Sequence, residues 1–297
     1  MLKLYEKPII QQIKDPWLSS KGVTLAVKRE DRIHPHVSGN KWRKLKYNLE
    51  ETIRQGKDTV LTFGGAYSNH IYATAAAAHE AGLKSIGIIR GDELADQSLN
   101  ATLTFAKGQG MHLYFVSRDD YRNKTSDQFL SDLKNRFGDF YLVPEGGTNP
   151  LAIQGASEIL GKETELYDVI VAAVGTGGTI SGIISAAQAH QQVIGIASLK
   201  GDFLQDEVVR LLEQYDPTAL TKSWQIETSY HFGGYAKTTA TLMEFIQRFE
   251  FQHDLPLEQV YTGKAMYAIY DMIELGAIKR GQSVLFIHTG GLQGRNI

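Results

Sequence analysis

Short apolar, β-branched runs alternate with longer amphipathic runs along most of the chain. TLAVKRE precedes a helix-periodic stretch from Lys41, and TVLTFGG precedes another from Ser68. SIGIIRG, HLYFVS, FYLVPEGG, DVIVAAVGTGG, VIGIAS and SVLFIHTGG then follow in turn. Strand-length runs separated by segments of 3.6-residue period predict βαβ units on mostly parallel sheet, an α/β fold. The strands from about Thr59 to Val143 form one set and those from Asp168 onward another, with Pro144 to Pro150, PEGGTNP, as the seam. No Pro/Ser-rich linker or charge run separates the two, so two closely associated units are expected in the 297 residues.

One helix stands apart by its charge. SGNKWRKLKYNL opens a helix at Asn40 or Lys41, with Trp42, Leu45, Leu49 and Ile53 as its apolar stripe. Lys41, Arg43, Lys44 and Lys46 crowd its first two turns, where cations oppose the helix dipole. Lys41 and Lys44 are spaced i and i+3 and can enter one site together. Periodicity does not choose between Lys41, Lys44 and Lys46, and a plain solvated basic face is the competing reading.

Composition removes whole classes of chemistry. The chain has no Cys, which excludes disulfides, thiolate zinc sites, iron–sulfur clusters and a Cys nucleophile. Lys plus Arg number 31 against 33 Asp plus Glu, a net charge of −2, so there is no global basic field for nucleic acid or an anionic membrane. The start, MLKLYEKPII, lacks a secretory apolar region, and the longest apolar stretch, Val169 to Val174, is too short to span a bilayer; a soluble, cytoplasmic protein is expected. The nine His lack metal-ligand spacing, and no G-x-S-x-G elbow is present.

In open parallel sheets, ligands bind outside the carboxyl ends of the strands. Four glycine-marked strand ends therefore compete: Gly64 to His70, Gly146 to Asn149, Gly175 to Thr179, and His288 to Gly291. VIVAAVGTGGTISG is the strongest, an apolar strand running through Gly175, Thr176, Gly177, Gly178 and Thr179 into a helix. Glycines let backbone amides converge, the helix start adds positive potential, and two threonines add donors, which suits a phosphate. The dinucleotide fingerprint fails, because the sixth position from Gly175 is Ile180 and VIGIAS ends without an acid. No G-x-x-x-x-G-K-[ST] exists either, so a single phosphate on a small cofactor is preferred. A side chain at Gly177 is expected to project against that phosphate.

GGAYSNH has the same shape, and the amides of Ser68, Asn69 and His70 would suit a substrate carboxylate; Ser68 as an ordinary helix cap is the bland alternative. Tyr235 in HFGGYAK and Tyr261 in VYTGKAM sit beside glycines, where a phenol can enter a cleft as a catalytic group.

SGNKWRKLKYNL, FGGAYSNH with its Ala-rich helix, VGTGGTISG, VYTGKAM and LFIHTGG, in that order, resemble the 1-aminocyclopropane-1-carboxylate deaminase and D-cysteine desulfhydrase family of pyridoxal-phosphate enzymes. The resemblance implies a two-domain, three-layer α/β fold of open twisted sheets, tryptophan-synthase-β-like (fold type II). It implies a large cofactor-binding domain of residues 1–45 and 150–297, a small domain of 46–149, and a homodimer. It implies that Lys41 forms the Schiff base, that Lys44 contacts the phosphate, that Ser68 lies beside the substrate and that Asn69 lies near the cofactor's 3′-oxygen. Deaminases resemble YEGK and HLGG at the last two motifs and desulfhydrases Y-[ST]-G-K and HTGG, so Thr262 and Thr289 place this chain nearer the desulfhydrases. A hydroxyl from Thr289 or Thr262 facing the pyridine nitrogen would favour elimination of a β-leaving group from a small, D-configured amino acid. The closing GGLQGRNI differs from the family's GGxPALF-like ending. Ring-opening of the cyclopropane acid, using Ser68 or Tyr261, is the rival activity, and a non-catalytic cofactor- or amino-acid-binding protein the rival of another class.

Overall fold

The structure, a computed structural model, describes residues 2–295. Among these, ten strands form two sheets. The strands are β1 (Ile10–Gln12), β2 (Thr24–Lys28), β3 (Thr59–Gly64), β4 (Lys84–Arg90), β5 (His112–Val116), β6 (Tyr141–Val143), β7 (Val169–Val174), β8 (Gln192–Ala197), β9 (Trp224–Glu227) and β10 (Ser283–Ile287). The six-stranded sheet has the order β1-β2-β10-β7-β8-β9 and the four-stranded sheet β5-β4-β3-β6. Every pairing is parallel except that of β1 with β2.

Strand β7 shows why these runs lack polar alternation. Val169, Val171 and Ala173 enter one core with Leu25, Val27, Phe245 and Met266, whereas Ile170, Ala172 and Val174 enter another with Ile183, Val208 and Leu285. Helices cover both faces, so both sets of side chains are apolar. Each fully buried Val or Ile contributes about 1.5–3 kcal/mol. The smaller sheet repeats the arrangement: Leu61 and Phe63 pack with Tyr121 and Leu133, and Val60 packs on the other face with Leu45, Leu49 and Ala77.

The helix Asn40–Arg54 runs from one sheet to the other. Its first amide donates to the Thr289 carbonyl beyond β10 (3.2 Å), while Trp42, Leu45 and Leu49 pack over the small sheet. Ile53, expected on that stripe, is 49% exposed. In the last turns the packed face moves onto Asn48 and Thr52, both fully buried, with the Thr52 hydroxyl donating to the Asn48 carbonyl (2.7 Å). The edge strands β1 and β9 also depart from the sequence expectation, which had assigned no strand to either. Among the described residues, no helix is long and apolar enough to cross a membrane.

Candidate active site

All four glycine-marked strand ends meet at one cavity of about 520 Å³, lined by Gly65, Gly146, Gly175 and Gly290. Lys41, Lys44, Ser68, Asn69, His70, Thr176, Gly177, Thr179, Tyr235, Tyr261 and Thr289 line it as well. It lies at the carboxyl ends of strands from both sheets, where unpaired backbone groups and helix starts converge.

The Asn40 helix is seated by a backbone contact that only glycine allows. Gly39 has φ 60° and ψ −136°, and a Cβ there would stand 1.9 Å from the Thr289 carbonyl oxygen. This close approach brings the four cations to the cavity and sorts them. Arg43 is buried on Glu30 (2.9 and 3.1 Å), and Lys46 pairs with Glu158 (2.9 Å). Lys41 and Lys44 have no carboxylate partner among the described residues. Lys41 Nζ donates to Asn40 Oδ1 (3.2 Å), and Asn40 Nδ2 donates to the Thr179 hydroxyl (2.8 Å). Burial lowers the Lys41 ammonium to about 8, against the opposing pull of the Glu258 carboxylate. A solvated basic face is thereby replaced by two ion-paired cations and two cavity cations.

Lys44 faces the anion loop. It is 1% exposed, its Nζ donates to the Thr148 hydroxyl (3.0 Å), and burial followed by the Lys41 charge holds its pKa well below the usual lysine value. Thr148 and Thr176 share a 2.6 Å hydrogen bond beside it. The helix Gly178–Ala186 starts there with no side-chain cap, whereas Ser68 caps the helix Asn69–Glu80. A buried lysine nitrogen with one neutral partner, facing an uncapped helix start, suits an anion. One expectation is corrected here. Gly177 has φ 80°, and a Cβ on it would meet Leu211 (3.0 Å) and Val208 (3.5 Å), away from the cradle. The inward position is Gly178, whose Cβ would lie 3.0 Å from Thr148 and 3.2 Å from Lys44 Nζ.

The Ser68 loop is more committed than expected. The Ser68 amide donates to the Gly65 carbonyl (3.0 Å), and Ser68 Oγ accepts from the His70 and Ile71 amides (3.2 and 3.3 Å). Of the three expected carboxylate donors, the Asn69 amide alone stays open among the described residues. His70 contributes a ring nitrogen instead. Thr62 gives its proton to the Val143 carbonyl (2.8 Å) and so accepts from His70 Nε2–H (2.8 Å), leaving Nδ1 a buried lone pair without a partner among the described residues. Burial, then the charges of Lys41 and Lys44, holds His70 far below the usual histidine pKa, as a neutral ring.

Tyr235 and Tyr261 meet edge to face at 6.2 Å, and the Tyr261 ring lies on Gly175, 3.2 Å from where a Cβ would stand. Burial raises both phenols above their ordinary pKa, Tyr261 strongly. Thr289 lines the cavity, but Thr262 does not. Thr262 is fully buried, its amide and hydroxyl turned to Glu258, so it is removed from the residues that could face a bound ring. Sequence reasoning missed Glu258. Its carboxylate accepts from the Val260, Tyr261 and Thr262 amides (2.7, 2.7 and 2.6 Å) and props the Tyr261 turn. Thr148, Lys264 and Gln293 were also missed. Gln293 Nε2 donates to Asn69 Oδ1 (2.9 Å), so the unusual GGLQGRNI ending borders the cavity. Its last two residues, Asn296 and Ile297, lie outside the described residues.

A cofactor with one phosphate, a carbonyl for a lysine and a flat ring fits this donor set: Lys44, Thr148, Thr176 and the Gly178 helix start for the phosphate, and Lys41 for the carbonyl. The family model of the pyridoxal-phosphate dependent enzymes matches residues 12–290. The chain belongs to the family of pyridoxal-phosphate-dependent enzymes. Within it, a mitochondrial bifunctional D-cysteine desulfhydrase/1-aminocyclopropane-1-carboxylate deaminase from Arabidopsis thaliana is 32% identical over 92% of this chain and 73% of its own length. A D-cysteine desulfhydrase from Yersinia pestis is 27% identical over 91% of this chain and 87% of its own. A crystal structure described as an ACC deaminase homologue superposes with a TM-score of 0.83 at 28% identity, covering 98% of this chain and 91% of that one. This pyridoxal-phosphate enzyme thus has the fold type II architecture and sits in the deaminase and desulfhydrase group, whose members carry both activity names.

Proposed function

We propose that the enzyme catalyses β-elimination and deamination of a small D-amino acid, as a D-cysteine desulfhydrase does, with Lys41 as the lysine that bonds the cofactor. D-Cysteine and water would give pyruvate, ammonia and hydrogen sulfide. Bound pyridoxal phosphate supplies an electron sink for the substrate α-carbon. The protein's part is positioning and proton transfer. Lys44, Thr148, Thr176 and the Gly178 helix start hold the phosphate, and the Asn69 amide receives the substrate carboxylate. Lys41, at about 8, has a substantial free-amine fraction near neutrality and can take the α-proton. Tyr235 and Tyr261, kept protonated by burial, close the cavity and have a proton for a departing sulfur.

The observation that carries the reading is Thr289 on the cavity wall with a single carboxylate, Glu145, among the lining residues, and that carboxylate already accepts from the Tyr121 hydroxyl (2.8 Å). If the Thr289 hydroxyl faces the cofactor's ring nitrogen, it would leave that nitrogen unprotonated, which would suffice when the β-substituent leaves readily and would disfavour opening an unactivated cyclopropane. The test is to supply the holoenzyme with D-cysteine, β-chloro-D-alanine and 1-aminocyclopropane-1-carboxylate and assay sulfide, 2-oxo acid and ammonia. Higher kcat/KM on the first two supports the reading. Preference for the cyclopropane acid supports the deaminase alternative, and no turnover by cofactor-loaded protein points to a binding protein or to a different leaving group. A homodimer is part of the proposal and is tested by light scattering.

A further inference from the structure

We infer that the outer wall of the cavity is an anion subsite for the far end of the substrate's side chain, with Arg90 as the recognising residue. This rests on the reading that an amino acid with a β-substituent is the substrate. The class it names is amino acids whose β-substituent ends in a carboxylate, sulfonate or phosphate ester.

Arg90 ends β4 and lines the cavity. Its guanidinium lies against the backbone of the Ser68 loop, Nη2 standing 3.6 Å from where a Gly65 Cβ would be, and over the Tyr121 ring at 5.8 Å. Tyr235 lines the same cavity. An aromatic face beneath a guanidinium holds it without neutralising it. Among the described residues Arg90 has no ion-pair partner, although two carboxylates lie close by. Glu145 accepts from the Tyr121 hydroxyl and pairs with Lys124 (3.2 Å), and Glu93 pairs with Arg118 (2.7 Å). Both acids are therefore compensated by other cations, and the wall keeps one positive charge. The α-carboxylate does not need that charge, because the Asn69 amide at a helix start is open to receive it. What remains for Arg90 is a second anion on the same substrate. A guanidinium suits this, since its planar fork accepts carboxylate, sulfonate and phosphate oxygens in pairs.

An isosteric substrate pair isolates the charge. S-carboxymethyl-D-cysteine and S-carbamoylmethyl-D-cysteine share linkage and leaving sulfur and differ in one anionic group. With the wild-type holoenzyme, the acid should be preferred roughly tenfold, in kcat/KM and in the Kd read from the absorption change on titration. The preference should shrink in 0.5 M salt, because Arg90 is exposed. R90M should bring the two ligands to parity, and R90K should retain a reduced preference. Equal affinities in the wild type, a salt-independent ratio, or a preference that survives R90M overturns the subsite. If neither compound nor β-chloro-D-alanine is turned over, the elimination reading fails, while the two Kd values still decide for or against Arg90.

Discussion

The Lys264 ammonium donates to the Gly234 carbonyl at 2.9 Å, so a buried cation from the helix Thr262–Glu274 anchors the loop that carries Tyr235. A second bond, to the His231 carbonyl (2.8 Å), brackets the same loop. Its backbone needs the restraint: Phe232, Gly233, Gly234 and Ala236 all have positive φ, and non-glycine residues held there cost about 1–3 kcal/mol each. Burial lowers Lys264 to about 8, with Glu258 opposing. The folded value lies below the unfolded one, so the charged form opposes folding below pH 8, and stability rises as pH climbs from 8 toward 10.5. Lys264→Met removes that opposition together with the anchor. The expected result is faster hydrogen exchange at residues 232–236, a melting temperature that no longer climbs between pH 8 and 10, and a fall of about tenfold in kcat/KM. Unchanged exchange in the loop would show that the two carbonyl bonds do not hold it.

The anion cradle makes a directional prediction, because adjacent glycines point to opposite sides. Gly178→Asp places a carboxylate beside Lys44, where it pairs with the ammonium and competes with phosphate. Loss of even one charge-assisted hydrogen bond, worth about 1.5–3 kcal/mol, weakens pyridoxal phosphate at least tenfold. Gly177→Asp instead pushes against Leu211 and Val208 and adopts a strained φ. It should lower the melting temperature more than it changes the affinity of the folded protein. Fluorescence titration of both apoproteins, alongside thermal melts, checks the contrast.

Residue-level comparison shows what the sequence could convey. The alternation of apolar and amphipathic runs located the inner strands, whose two covered faces have to be apolar, and also the edge strands β5 and β6, whose runs HLYFV and YLV are mostly apolar. β1, with the sequence IQQ, and β9, with WQIE, are short edge strands that are half polar or more, so no apolar run marked them. Lys41 could not be told from Lys46 along the helix. The distinction comes from Glu158, 112 residues away, which neutralises Lys46. Thr262 was drawn into the site by its place in the Y-[ST]-G-K motif of the resemblance, yet it is buried against Glu258, and of the two neighbours only Tyr261 lines the cavity. Glu258 was invisible for a related reason, since its carboxylate turns back onto amides two to four residues ahead. Arg90 and Glu145 were given no role from the sequence, and the parallel order β5-β4-β3-β6, which brings the ends of β4 and β6 to the same edge of the sheet, puts both on one cavity.

Lys41 is expected to carry the cofactor. Borohydride reduction of holoenzyme followed by peptide mapping should put the label on Lys41 and on neither Lys44 nor Lys46. The apoprotein gives a second reading of the same residue. Only a free amine is nucleophilic, so trinitrobenzenesulfonate labelling of Lys41 should rise through a midpoint near pH 8, while solvent-exposed lysines follow a midpoint near 10.5. A Lys41 midpoint at the ordinary value would remove it as the residue that takes the α-proton near neutrality.

Glu258 links the last two elements of the site, and Glu258→Gln separates them. The carboxylate accepts three amides at the start of the Thr262 helix and also draws the Lys41 ammonium upward. Burial raises its own pKa, and those amide bonds act in the opposite sense. Glutamine preserves size and one acceptor oxygen but removes the charge, so some of the amide bonds are lost or lengthened. Leaving a buried donor unsatisfied costs about 1–3 kcal/mol, and a melt should register a loss of that order. Removing the anion also takes away the nearby negative charge that favours protonated Lys41, so its labelling midpoint should move below 8. That shift is the decisive measurement, because a purely structural role for Glu258 would lower stability and leave the Lys41 midpoint where it was.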